Sequence, residues 1–416
     1  MAHKDIRVLI VAEHASAKFG GEAILPLHYF VYLRRRNVDT WLIVHERTKD
    51  ELLSLIPEEA DRIVFIPDDF TNQILWKVGS FFPSRLDYFT LGFLHRTHTQ
   101  SRARRIAKKL VREHNIEVVH QPIPVSPGEP SLLYNMGAPV VIGPMNGNMS
   151  YPPGFQKSSF TTKISTLMMA VFRSFGTALN RAMPGKSKAN TLLVANERTS
   201  QGLPVEHKNI KYLVENGVDL SLWTPIEVQG DPNYRSLHLI YVGRMVDWKS
   251  VDILIEAVSL VHESVNFELD LVGDGPERSR LEALVKRLSL EEKVTFHGWK
   301  SQSDCAALLR NADVMVLPSV YECGGAVVLE SMASGVPVIA TRWGGPADYL
   351  DDSCGILIDP LSREHLVREI RDSIERLFNN PHELVDMKSC LSARVEKFSW
   401  DKKIEDMIKI YKQARK

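Results

Sequence analysis

The chain has 416 residues, 44% of them hydrophobic and 25% charged, with basic and acidic residues balanced at 51 each. This is the composition of an ordinary soluble globular protein, long enough for two or three domains. A formal net charge of zero argues against bulk nucleic-acid binding as its task. The four cysteines, Cys305, Cys323, Cys354 and Cys390, make no CxxC pair, which argues against a zinc site or disulfide framework and fits a cytoplasmic setting.

The N-terminal MAHKDIRVLIVAEHAS has an apolar core of only about five residues, too short for a signal peptide and suited to a first buried strand. No run approaches the ~20 apolar residues of a membrane span. Apolar runs then alternate with segments of helical period. After RVLIVAE (Arg7–Glu13) come DTWLIVH (Asp39–His45), RIVFI (Arg62–Ile66), EVVH (Glu117–His120), APVVIGP (Ala138–Pro144) and TLLVAN (Thr191–Asn196). The pattern restarts with LHLIYVG (Leu237–Gly243), FELDLVG (Phe267–Gly273), KVTFHG (Lys293–Gly298), DVMVLPS (Asp313–Ser319) and VPVIAT (Val336–Thr341). Such alternation predicts βαβ units and parallel sheets covered on both faces.

Between the two series, residues 216–236 carry Pro225, Gly230 and Pro232 with no clear period and read as a linker. The expected fold class is therefore α/β, two doubly wound domains facing a cleft. The first spans 1–215 and the second 237–398, with a final helix over 399–416. That helix bears Trp400, Ile404, Met407, Ile408 and Tyr411 on one stripe. Ligands of such sheets bind at the carboxyl ends of the strands.

Two stretches of the first domain are basic and apolar together. Trp76–Arg112 has nine Lys/Arg, one acid (Asp87) and the aromatics Phe81, Phe82, Tyr88, Phe89 and Phe93; Gly154–Asn190 has six Lys/Arg and no acid. That is the composition of a membrane-surface element, or of a solvated face over an ordinary core.

GRMVDWKS (Gly243–Ser250) places Arg244 after a strand-ending glycine and Lys249 at the next helix start, an arrangement suited to diphosphate. LVGDGPERSRLEAL (Leu271–Leu284) imitates a dinucleotide fingerprint. Arg278 stands where the third glycine belongs, so NAD binding is disfavoured. In SVYECGGAVVLESMASGVPV (Ser319–Val338), Gly324–Gly325 opens a helix after a strand. Glu322 lies on the loop at the sheet's carboxyl edge. Glu330 falls among Ala326, Val327, Val328, Leu329 and Met332, where a carboxylate is costly unless partnered. A sugar diol is a fitting partner, because a carboxylate accepts from two hydroxyls.

These motifs, together with Gly20–Gly21, ENGVDLSLWTP, GDGPERSRLE, VTFHGW and FSWDKKIEDMIKIY, resemble the retaining glycosyltransferases of family 4, which have the GT-B fold. The resemblance covers most of the chain. It implies that Gly243, Arg244 and Lys249 hold the donor diphosphate and that Glu330 binds the ribose hydroxyls. It implies further that Glu322 contacts the transferred sugar, helped by Cys323 and by backbone N–H groups near Gly324, Gly325, Ala326 and Val327. His297, Gly298 and Trp299 would lie along the base, and Gly20, Gly21 and Asn146 would approach the donor from the first domain. The implied catalytic set is Glu322, Arg244 and Lys249, with His120 the candidate histidine. The final helix, 399–416, would cross back to pack on the first, acceptor-binding domain.

The chain departs from the family at three places. Ser250 stands where glycine is usual. Pro122 replaces the second histidine of an HxH element that begins at His120. Asn146–Gly147 replaces a histidine–glycine.

The activity implied is transfer of a sugar from a nucleotide-diphospho-sugar to an acceptor hydroxyl with retention, in polysaccharide or glycolipid biosynthesis. Neither cofactor nor metal is implied: the chain has no Asp-x-Asp, and the two cations serve where a metal would. The expected partners are the donor and a carbohydrate or lipid-linked acceptor at the inner face of a membrane, and no nucleic acid. The rivals are a GT-B sugar-nucleotide epimerase and an inactive nucleotide-sugar-binding scaffold.

Overall fold

The computed structural model describes residues 6–18, 21–79, 90–156, 176–225 and 236–416. The chain divides into two compact units. The first holds residues 6–148, 176–215 and 403–416; the second holds residues 149–156 and 216–402, in each case as far as they are described.

The first unit is built on seven strands: β1 (Arg7–Val11), β2 (Asp39–His45), β3 (Ile63–Ile66), β4 (Val118–Gln121), β5 (Val140–Met145), β6 (Thr191–Val194) and β7 (Ile210–Tyr212). They form one parallel sheet in the order β3-β2-β1-β4-β5-β6-β7. Leu9 of β1 pairs with Trp41 of β2 and with Val119 of β4, all buried. β1, β5 and β6 are apolar almost throughout, as strands covered on both faces must be, and β4 is buried along its whole length although it carries His120 and Gln121. The helix Leu91–Glu113 covers one face. His95, Thr99, Ala103, Ala107, Leu110 and Val111 make its buried stripe, and the two alanines let the helix lie close to the sheet.

The second unit has β8 (Leu237–Val242), β9 (Phe267–Val272), β10 (Val294–Gly298), β11 (Val314–Leu317), β12 (Val338–Thr341) and β13 (Gly355–Ile358). Its parallel sheet runs β10-β9-β8-β11-β12-β13. Each sheet has a point where neighbouring strands lead off in opposite directions, β1 beside β4 and β8 beside β11. The loops leaving the carboxyl ends splay apart there and open a crevice.

The expected doubly wound α/β organisation is present in both units. β7 and β13 were not foreseen; both are sheet edges, of three and four residues. Residues 149–156, placed with the first domain from sequence, cluster with the second unit. There the Trp343 indole N–H donates to the Ser150 carbonyl at 2.8 Å, and the Gly154 Cα lies against the Leu361 carbonyl.

Part of the basic charge is spent inside the first unit. Arg96 pairs with Glu129, Arg102 with Asp69, and Arg104 stacks over Tyr134. Lys186 is buried and donates to the carbonyls of Ser126 and Pro127. Phe81, Phe82, Tyr88, Phe89 and much of the second basic stretch lie outside the described residues.

Candidate functional site

In the second unit, the motifs singled out from sequence converge at the β8/β11 crevice. β8 ends against Gly243. The buried Tyr241 hydroxyl donates to the Arg244 carbonyl at 2.9 Å, which fixes the start of the loop. Gly273, which follows β9, has φ +132°, and a Cβ there would lie 1.9 Å from the Gly243 carbonyl oxygen. The two loops thus stack backbone on backbone.

The Arg244 side chain is exposed and has no ion-pair partner among the described residues. Lys249 closes the short turn Asp247–Lys249, and Ser250 leads into the helix Val251–Ser259 with φ 52°, ψ 36°. That left-handed conformation explains why glycine is usual at this position: a side chain there carries a steric cost.

The loop after β11 meets this turn directly. The Val320 N–H donates to the Trp248 carbonyl at 3.0 Å, and the Lys249 ammonium forms an ion pair with the Glu322 carboxylate. Lys249 and Glu322 retain 16% and 13% side-chain exposure, so the pair faces the crevice while partly shielded from water. The Glu322 carbonyl is pinned by the Gly345 N–H at 2.8 Å. Gly325, with φ +65°, turns the chain into the helix Ala326–Ala333. The first-turn N–H groups of Ala326 and Val327 have no carbonyl of their own helix to bond, so they can donate to an anion or a hydroxyl. Cys323 lies between these groups with its Sγ 3.7 Å from the Met149 Sδ.

Glu330 is half-buried on the same helix and has no hydrogen-bond or ion-pair partner among the described residues. Burial pushes its carboxyl up to about 7. The Cys305 thiol nearby is pushed up to about 11, first by burial and then by the Glu330 charge. An unpartnered, partly buried carboxylate is expensive to keep and awaits hydroxyl or N–H donors.

His297 lies at the end of β10, with its Nε2 2.7 Å from Asp270 Oδ1; His238 Nε2 is 2.9 Å from the other Asp270 oxygen. Burial alone would raise Asp270, but its bonds to the two histidines hold it below the ordinary carboxylate range. The same contact raises His238. Gly298 has φ +69° and Trp299 is 74% exposed, a ring presented to solvent. Asp270 and His238 were not singled out from sequence. The signal was present in an acid interrupting the apolar strand FELDLV.

In the first unit, Gly20 lies outside the described residues, and the exposed Gly21 begins a 3-10 turn whose Ala23 is buried. His120 is fully buried on β4 with both ring nitrogens engaged, Nε2 2.7 Å from the Gly143 carbonyl and Nδ1 2.7 Å from the Tyr411 hydroxyl. A carbonyl only accepts, so Nε2 carries the proton and Nδ1 accepts from tyrosine. Burial pulls the ring down to about 4, so it stays neutral. As placed, His120 ties β4 to the last helix and offers no free nitrogen to a substrate. Asn146 is likewise buried, its amide NH₂ donating to Glu215 at 2.7 Å and its oxygen accepting from Arg198 at 3.3 Å.

Residues 228–388 match the family described as Glycosyl transferases group 1. D-inositol 3-phosphate glycosyltransferase of Arthrobacter sp. (strain FB24) is 28% identical over 239 residues, 54% of this chain and 56% of that protein. The chain thus spans about half the length of that curated relative. A glycosyltransferase from Rickettsia africae ESF-5 superposes with a TM-score of 0.67 at 15% identity, over 99% of both chains. Anabaena Alr3699/HepE in complex with UDP gives 0.65 at 16% identity, over 98% of this chain and 100% of that one. At such identities the likeness establishes the fold, which is GT-B.

Proposed function

We propose that this chain, which carries a glycosyl transferases group 1 domain on the GT-B fold, moves a hexose from a nucleotide-diphospho-sugar to an acceptor hydroxyl, with retention at the anomeric carbon. The observation that carries the reading is the set of groups at the β8/β11 crevice: exposed Arg244, the Lys249–Glu322 pair, a helix N-terminus, and Glu330 without a partner. The cations and N–H groups suit a diphosphate, and the two carboxylates suit hydroxyls on either side of it. Glu330 takes the ribose diol and Glu322 the sugar.

The chemistry is one of charge handling. As the bond from the anomeric carbon to the diphosphate oxygen breaks, negative charge grows on the leaving oxygens. Arg244, Lys249 and the free N–H groups stabilise it without reorganising. The acceptor oxygen bonds to the anomeric carbon on the face that the diphosphate leaves, and its proton passes to the departing phosphate oxygen. No enzyme nucleophile is required, and none is assigned.

The acceptor is lipid-linked in this reading. Its support is an apolar stripe on the helix Phe70–Gly79, where Phe70 (76% exposed), Ile74 and Val78 face outward. Arg105, Lys109 and Arg112 are exposed on the helix Leu91–Glu113 of the same unit. Among the described residues, no helix is long and apolar enough to cross a membrane.

The test is release of nucleotide diphosphate from a panel of UDP-, GDP- and ADP-sugars, dependent on added acceptor. The anomeric configuration of the product is read by NMR. Lys249→Ala and Glu322→Ala should each reduce turnover at least 100-fold, the order lost when a preorganised charge contact to the transition state is removed. Full activity in both, with the fold intact, would refute the assignment.

A further inference from the structure

The first unit has its own crevice, where β1 and β4 lie side by side, and a cavity of about 170 Å³ fills it. A cavity of about 150 Å³ accepts benzene, so this one has room for a single six-membered ring. Val11, Ile66, Ala103 and Leu133 give its wall apolar groups. Its acids outnumber its cations. Glu13, Glu22 and Glu129 line it, with Arg96 the one lysine or arginine among the described lining residues; Arg96 is already paired with Glu129 at 2.7 Å, and Glu13 with Arg47 at 2.7 Å, so neither guanidinium is free for an anion. Burial holds the lining His14 below its ordinary range, which keeps it neutral.

Two groups there await a ligand. Thr99 is 1% exposed and its hydroxyl has no hydrogen-bond partner among the described residues. A buried hydroxyl left unpaired is costly unless something entering the cavity answers it. Glu22 accepts the Val125 N–H at 2.8 Å with one oxygen, which leaves the other for an incoming donor. Burial, with added repulsion from Glu215, Glu129 and Glu13, pushes Glu22 up to about 7. An anion entering here meets carboxylates and a guanidinium already neutralised. A hydroxyl or ammonium group meets acceptors.

We propose that this cavity binds an uncharged or amino-substituted polyhydroxy ring and discriminates against the phosphorylated or carboxylated form of the same ring. Identifying that ring as the end of the acceptor rests on the transferase reading; the binding itself does not.

Ligand-observed NMR on the full chain tests it. The probes are methyl glycosides of glucose, galactose, mannose, N-acetylglucosamine and glucosamine, with the 6-phosphate and the uronate of each ring that binds. At least one uncharged or amino glycoside should bind, and its 6-phosphate and uronate at least tenfold more weakly. Thr99→Val should weaken that binding at least fivefold and Thr99→Ser should restore it, with Glu22→Ala also weakening it. Binding of a nucleotide-sugar should be unchanged in all three variants. Any of three results overturns the proposal: no glycoside binds, a charged ring binds as tightly as its neutral parent, or Thr99→Val binds like the unaltered chain. Because nucleotide-sugar binding is read separately, loss of the donor assignment would show as its own failure.

Discussion

Replacing Glu330 by glutamine tests the donor site most sharply. The carboxyl is held at about 7 against an ordinary 4.5, so the folded protein keeps a proton that the unfolded chain sheds between those values. A raised folded-state value means stability present at low pH and lost as pH rises from about 4.5 through about 7. The displacement corresponds to about 3 kcal/mol against the ionised form. Glu330→Gln keeps the shape and removes the charge, so at pH 8 the variant should be more stable by up to about 3 kcal/mol, and at pH 4.5 nearly equal. Glu22 titrates in the same direction, so the chain and the variant must be compared at each pH and only the difference read.

Ligand binding should show the opposite trend. A ribose diol donates to the ionised carboxylate, so nucleotide-sugar affinity should rise with pH, by up to tenfold per unit, until it levels near 7. In the variant it should be flat and weaker by about 10- to 100-fold, the worth of a hydrogen bond to a charged group. A nucleotide-sugar is the right probe because its esterified diphosphate does not titrate in this range. Urea denaturation and calorimetry across pH 4.5–8 supply both curves. If the stability difference does not change with pH, or if the variant binds donor as the unaltered chain does, the assignment of Glu330 to the ribose fails.

Three other perturbations follow from the packing. Gly273→Ala would drive a methyl group into the Gly243 carbonyl at φ +132°; a loss of at least about 2 kcal/mol is expected from backbone strain alone, read as a lowered denaturation midpoint. Tyr411→Phe removes the donor to His120 Nδ1 and should cost about 1–3 kcal/mol in stability, with kcat unchanged when assayed well below the melting temperature. A fall in kcat would return His120 to the catalytic candidates. Ser250→Gly relieves a left-handed side chain and should stabilise the chain by about 1 kcal/mol in the same denaturation assay.

The features legible in the sequence were local. A strand ending in glycine followed by Arg244 and Lys249, and a Gly-Gly pair opening a helix that bears Glu330, each lie within one short segment. Contacts across long separations were hidden. Lys249 and Glu322 are 73 residues apart, and no pattern announces that each is the other's counterion. His120 matched a motif by position, while its bond to Tyr411, 291 residues away, decides what its nitrogens can do. Composition counted the charges of the basic stretches but was blind to their use. Lys186 contributes to a basic segment on paper and is a buried brace in the fold.

The pairing of Lys249 with Glu322 also affects how the site is seen from a distance. With that ammonium neutralised in place, the pair adds little to the long-range field toward an approaching diphosphate, and of the two cations Arg244 is the one without an ion-pair partner among the described residues. Beyond a Debye length of about 8 Å in physiological salt, little attraction remains. Donor capture should therefore depend only weakly on ionic strength, and selection should occur after contact, when the ligand's phosphates and hydroxyls replace a pairing that the protein makes with itself.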